Sequence, residues 1–235
     1  MAPFTVRELG PETWPDFVRI IEKHHGVWGG CWCLTFHLPP GHPVRDIPQR
    51  RALKEDLVRT HRAHAALVYD GADIVGWCQF GPPAELPGRA TAYGRLGIAP
   101  PDWRLPCFFV DRGRRGEGVA RKALEAALWI IAARGGGIVD GYPQDLDGRR
   151  TSNSFLWGGT ASMFQAAGFS RVAQLGPTKW IVRCRIRPRG RDPPRGSIGS
   201  GVVVRGRSRP RQPRAVRPGR SVRTGPRRWG SLRLS

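Results

Sequence analysis

One stretch constrains this chain more than any other: Pro106-Cys-Phe-Phe-Val-Asp-Arg-Gly-Arg-Arg-Gly-Glu-Gly-Val-Ala-Arg-Lys122. An apolar run, Cys107 to Val110, stops at Asp111 and gives way to a basic, glycine-rich turn. A helical pattern follows, to about Arg134, so the segment reads as strand, turn and helix. The first N–H groups of a helix have no intrahelical partner, and the helix dipole is positive at that end. Such a turn collects bare amides where an anion can sit, so the chain is expected to grip a phosphorylated ligand. The plain alternative is a turn that only starts a helix.

Spacing discriminates among phosphate loops. Gly113 and Gly118 are separated as in G-x-x-x-x-G-K-[ST], but Val119 and Ala120 replace the lysine and the metal-binding hydroxyl. Gly116 and Gly118 begin a G-x-G-x-x-G fingerprint, but Arg121 stands where a close-packed glycine is needed. What fits is R-x-x-G-x-A, Arg115-Gly116-Glu117-Gly118-Val119-Ala120.

The surrounding pattern is alternating. Phe4, Val6 and Leu9 suggest a first strand, and Glu12 to His24 a helix with Phe17, Ile20 and Ile21 on one face. Gln49 to Ala63 reads as a second helix with Leu53, Leu57 and Val58 inward. Strands follow at 65–69 and 74–80 around the hairpin signal Asp70-Gly71. Residues 81–104 read as a long loop. After the 107–110 strand, the helix carries Ala120, Leu124, Leu128 and Ile131 on one stripe and ends at Gly135-Gly-Gly. A strand is expected at 138–142, a helix near 159–167, and a closing strand where Thr178, Trp180, Val182, Cys184 and Ile186 alternate with charged residues. Pro188 breaks that run, so the folded domain is expected at 1–187 and a tail at 188–235.

The hexapeptide and this order resemble the GCN5-related N-acetyltransferases (GNAT), whose pyrophosphate loop reads Q/R-x-x-G-x-G/A between a central strand and a helix. Met163-Phe-Gln-Ala-Ala-Gly-Phe169 is similar to that family's late-helix motif, commonly L-Y-x-x-x-G-F. The resemblance covers about residues 4–187. It implies an α/β fold: a mixed, mostly antiparallel sheet flanked by helices, with splayed central strands. It also implies acetyl-CoA as acetyl donor and an amine, of a small molecule or a protein, as acceptor. Carried over to this sequence, backbone groups of Phe109 and Val110 would hold the pantetheine arm. The amides of Arg115, Gly116, Glu117, Gly118, Val119 and Ala120 would cradle the pyrophosphate. Arg112, Arg114, Arg115, Arg121 and Lys122 would add attraction, or form a solvated basic helix start. A homodimer is compatible with the family.

The chain departs from the family at Phe164, where many members place a tyrosine that protonates the departing thiolate. That leaves water, unassisted departure, or another hydroxyl such as Tyr142. No glutamate base stands on the fourth strand. Asp140 on the fifth is the candidate for deprotonating the amine, or else a carboxylate that pairs with an arginine. A binding module with this fold and no turnover is the competing reading.

The connector from His24 to His37 holds Cys31-Trp-Cys33, but C-x-C is not the usual zinc spacing, and no metal is expected. Trp28, Trp32 and Phe36 would line the acceptor pocket or simply pack in the core. Five cysteines, three in apolar runs, fit a reduced cytoplasmic setting. No run is long and apolar enough for a membrane span, and no signal-peptide pattern opens the chain.

The net charge of +21 is unevenly placed. Residues 188–235 hold 14 Arg, 8 Gly and 7 Pro with one Asp, too polar for a core, and are expected to be disordered. They could meet nucleic acid through non-specific phosphate contacts, or merely reflect a GC-rich gene read out of frame. With Trp229 as their one aromatic, they offer little for base stacking.

Overall fold

The computed structural model describes residues 4–27, 29–39, 42, 46–145 and 153–189. By Cα proximity the chain divides into units Met1–Arg205 and Gly206–Ser235. All described residues belong to the first; Trp28 and most of the expected tail lie outside them.

A seven-stranded sheet is the frame: β1 (Thr5–Glu8), β2 (His64–Asp70), β3 (Asp73–Gly81), β4 (Trp103–Val110), β5 (Gly137–Gly141), β6 (Ser170–Gly176) and β7 (Lys179–Ile186). Their spatial order is β1-β2-β3-β4-β5-β7-β6. Every neighbouring pair is antiparallel except β4 and β5, which run parallel. Among the described residues five α-helices accompany them: α1 (Trp14–Lys23), α2 (Ile47–Arg59), α3 (Ala90–Leu96), α4 (Val119–Ala133) and α5 (Ala161–Ala166). This is the mixed α/β fold expected from the resemblance.

Alternation along the strands builds a core on each face. On one face, α1 delivers Phe17, Ile20 and Ile21, and α2 delivers Leu57 and Val58, against Leu67, Trp77 and Phe109. On the other, α4 lays Val119, Ala123, Leu124, Ala127 and Ile131 over Val68, Cys78, Leu105 and Phe108. At roughly 1.5–3 kcal/mol per large apolar side chain, this burial holds the layers together.

Two sequence expectations change. The 81–104 loop contains α3, which buries Ala92 and Tyr93. And β4 begins at Trp103, ahead of Cys107. Pro106 hid the start, because a proline inside a run argues against a strand. The strand tolerates it here for a visible reason. Pairing between β4 and β3 is irregular between Gln79 and Gly81, opposite Pro106. Pairing between β4 and β5 ends one residue earlier, at Leu105↔Gly141. A residue with no N–H sits where no ladder bond is made. From Cys107 to Val110, β4 is paired to β3 alone, so the central strands part there.

Candidate functional site

The site grows from that parting. Beyond Val110 the chain turns at Asp111, whose carboxylate accepts from the Gly113 N–H at 3.1 Å and from Lys23 Nζ at 2.6 Å. His24 Nε2 stands 3.5 Å from the same carboxylate, tying the end of α1 to the turn. Burial alone would raise the Asp111 pKa; the Lys23, Gly113 and His24 contacts outweigh it and hold the carboxyl below its usual range. Gly116 and Gly118 then take φ of +83° and +87°. These left-handed conformations suit glycine, and a Cβ at either would meet no protein atom within 4 Å. The glycines are therefore set by backbone conformation rather than by crowding within the protein. Gly118 is the N-cap of α4, with no side-chain cap, so the first-turn amides stay available.

On the far side, the segment after β5 is tied back. Gln144 N–H donates to the Gly159 carbonyl at 3.0 Å, and Ala161 N–H to the Gln144 carbonyl at 2.9 Å. This brings the start of α5 towards the open end of β4. Between them lies a cavity of about 480 Å³, within the range of small-ligand sites. Phe109, Val110, Arg115, Gly116, Gly118, Val119 and Ala120 all line it, together with Thr160 and Ser162. Glu117 does not; its carboxylate stands 3.3 Å from Arg114 Nε. Of the five expected cations, Arg114, Arg115 and Arg121 reach the lining, and Arg114 also pairs with Asp70.

Phe164 fills the inner end of the parting. It is fully buried, edge-on to Phe108 at 5.8 Å and to Phe169 at 4.9 Å between ring centroids. A Cβ on Gly141 would come within 2.2 Å of its ring, so the ring occupies the space that Gly141 leaves open.

Asp140 is placed differently from the expectation. It is fully buried and absent from the cavity lining. Arg183 Nε donates to its Oδ1 at 2.7 Å and Arg183 Nη2 to its Oδ2 at 2.8 Å, while the Tyr93 hydroxyl donates to Oδ2 at 2.7 Å. The arginine-pairing alternative describes this geometry, because both oxygens are already engaged. Tyr142, the alternative hydroxyl, exchanges a 2.8 Å hydrogen bond with Tyr93 on the same side. Burial first, then Tyr142 and Asp140, push the Tyr93 hydroxyl far above its ordinary value. The signal for this network was the Asp140–Arg183 register across β5 and β7, which needs the strand order to be read.

A second polar group lies within the α1–α2 face, beneath the connector. Lys54 is buried on α2, and its Nζ is 3.2 Å from His37 Nε2. Gln79 Nε2 is 2.8 Å from the same nitrogen and donates to the Cys33 carbonyl at 3.0 Å. His37 Nδ1 is 3.0 Å from the Glu85 carbonyl. Nδ1 thus carries the proton and Nε2 accepts, a neutral imidazole. Burial, then Lys54, push the His37 pKa well below the usual value. Lys54 itself is lowered by burial. Sequence reading placed Leu53 inward and passed over Lys54, although Lys54, Leu57 and Val58 share the i, i+3, i+4 spacing of one face. Among the described residues, no group of three or more His, Cys, Asp or Glu is placed to hold a metal. Nor is any described helix long and apolar enough to cross a membrane.

Residues 32–139 match the acetyltransferase (GNAT) family. The matched span contains the glycine turn and all of α4. No curated protein matches the chain. Solved structures with a similar fold include mosquito arylalkylamine N-acetyltransferase like 5b, at 11% identity and TM-score 0.49, covering 77% of this chain and 99% of that one. An acetyltransferase from Thermus thermophilus aligns at 17% identity and TM-score 0.44 over 78% of this chain and 97% of its own. The yncA protein of Salmonella typhimurium, solved with its cofactor acetyl-CoA, aligns at 14% identity and TM-score 0.46, covering 83% of this chain and 100% of its own. That family match runs from the connector through α4 into β5.

Proposed function

We propose that this chain moves the acetyl group of acetyl-CoA to the nitrogen of an amine. One observation carries the reading: a single cavity joins the half-paired end of β4 to the glycine turn that opens α4. The residues present fit a nucleotide thioester. Gly116, Gly118, Val119 and Ala120, at a helix start without a side-chain cap, line the cavity with Arg115 and Arg121 beside them, which suits an anion. The β4 edge from Cys107 to Val110, paired with β3 but not with β5, has backbone groups to offer the pantetheine amides. Bound there, acetyl-CoA would supply an activated acetyl group.

The chain's own part is positioning and the exclusion of water. Phe108 and Phe164 keep the inner end apolar. Phe164 has no proton to give, and among the described residues the hydroxyls lining the cavity are those of Thr160 and Ser162, 3.2 Å apart. A departing thiolate takes its proton from one of these or from water. No Asp, Glu or His is among the described residues that line the cavity. Asp140 serves to anchor Arg183 and Tyr93, so the amine arrives as its free base or loses its proton to solvent. The test uses the full-length chain. Coenzyme A should raise its unfolding temperature, and an amine panel should release thiol from acetyl-CoA. No stabilisation by millimolar coenzyme A overturns the reading. Stabilisation with no thiol release across the panel instead supports a binding module, which the missing tyrosine and base also favour.

A further inference from the structure

Two thiols stand together where the proposed chemistry has no use for them. Cys33 Sγ in the connector and Cys107 Sγ on β4 are 3.5 Å apart, though 74 positions apart in sequence. Both are free thiols, exposed by 3% and 5%. We propose that Cys33 and Cys107 form a dithiol modification site, which a small hydroperoxide closes to a disulfide.

Three independent features single out the pair. First, the backbone at Cys33 is strained. Trp32 and Cys33 are consecutive non-glycine residues in the left-handed region, at φ of +51° and +53°. Such residues cost of order 1 kcal/mol or more each, and persist where the surroundings over-determine them. Here Trp77 Nε1 donates to Cys33 Sγ at 3.3 Å, and Gln79 Nε2 holds the Cys33 carbonyl. Second, the two sulfurs are unlike. Cys33 Sγ accepts from the Trp77 indole N–H, whereas Cys107 Sγ stands 3.9 Å from the Phe108 carbonyl. The Cys107 hydrogen bond, Lys54 and the indole together hold the Cys33 thiol below its ordinary value against the effect of burial, and Cys107 lies well above its own. Cys33 is the nucleophile of the two, because the thiolate is the reactive form. Third, the reach is short. A disulfide has to bring the sulfurs from 3.5 Å to about 2 Å.

The steps balance. The Cys33 thiolate attacks one peroxide oxygen, the O–O bond breaks, and the sulfenic acid forms with loss of hydroxide or alkoxide. Cys107 then loses its proton and attacks the Cys33 sulfur, and the S–O bond breaks with release of water. Two electrons pass from the thiols to the peroxide. The product joins the connector to the strand on which the donor is proposed to lie.

The experiment treats the full-length protein with hydrogen peroxide and maps peptides without reduction. The expected product is a Cys33–Cys107 cross-link, with the loss of two hydrogens, reversed by a dithiol reductant. Cys31→Ser should keep it. In Cys107→Ser the cross-link should vanish, and a sulfenic-acid trap should label Cys33. Oxidation that joins Cys33 to Cys31, or that carries Cys33 to the sulfinic acid with no cross-link in the wild-type chain, overturns the proposal. Mapping the wild-type chain decides even where a variant fails to fold. The result does not depend on acetyl transfer, so it can stand or fall separately from the proposed function.

Discussion

The two polar regions of this domain are built from different material. Around the cavity, the parts proposed to meet an anion are main-chain amides and two left-handed glycines at the start of α4, with arginines beside them. Beneath the connector, Lys54, His37, Gln79, Cys33 and Cys107 meet through side chains and the Cys33 carbonyl. The Asp140–Tyr93–Arg183 network is of this second kind. A backbone site tolerates most side-chain changes and fails when its conformation is lost. A buried side-chain site fails when one partner is removed, because the remaining group is left unpaired.

The largest expected effect comes from Asp140→Asn. It leaves Arg183 facing a neutral amide, with Tyr93 and Tyr142 around it. Breaking a buried pair from one side typically costs about 3–5 kcal/mol, read as a lower denaturant midpoint. Thiol release per folded molecule, and its pH profile, should be unchanged. If Asp140 took the amine's proton, activity would instead fall by about 100-fold or more.

Gly118→Val should be next. At φ of +87° a β-branched residue is strained by about 1–3 kcal/mol, and relief requires the turn to move. Coenzyme A affinity should fall by roughly 10- to 100-fold, since each factor of ten is about 1.4 kcal/mol. Fold stability should fall by no more than that strain, because a Cβ there meets no protein atom within 4 Å. Equal affinity in wild type and variant would remove the glycine turn from the site.

These two predictions mirror what the sequence disclosed. The turn was legible because backbone conformation is written locally, as glycines between an apolar run and a helical stripe. The fold was legible for a similar reason: α4 and the hairpin at Asp70-Gly71 announce themselves within a dozen residues. The second region was not legible. His37 and Gln79, or Cys33 and Cys107, become neighbours only once β3, β4 and the connector are assembled. Pro106 misled for the same reason. Its tolerance depends on β5 having parted from β4, which no local pattern records.

A smaller effect should come with pH. His37 is buried and neutral, with its folded pKa well below 6.5, so it binds fewer protons than it would in the unfolded chain. Stability conferred by this group is complete above the ordinary imidazole value and drains away as pH falls from there toward the folded pKa. The loss is at most about 1.4 kcal/mol per pH unit. Chemical denaturation of wild type and His37→Asn between pH 7 and 5 checks it. The variant should be the less stable at pH 7, and the gap should narrow on acidification. A gap that widens would mean that His37 is charged in the fold.

Glu117→Ala is expected to do least, and so sharpens the contrast most. Glu117 sits between the two glycines of the turn, one residue before the α4 N-cap. Its carboxylate faces Arg114 across 3.3 Å, with the two side chains 27% and 30% exposed. A partly solvated pair of this kind contributes about 0.2–1 kcal/mol. Removing it frees part of Arg114, which remains paired with Asp70. If the residue matters to coenzyme A through its amide, the loss of its side chain leaves affinity within a few-fold of wild type, and removing a negative charge beside bound phosphates should shift it toward tighter binding. Titration calorimetry on the two variants at positions 117 and 118 then compares a side-chain change with a backbone change in adjacent residues. A loss at Glu117 as large as at Gly118 would mean that the turn works through its carboxylate, and the division between a backbone-built and a side-chain-built region would fail at its centre.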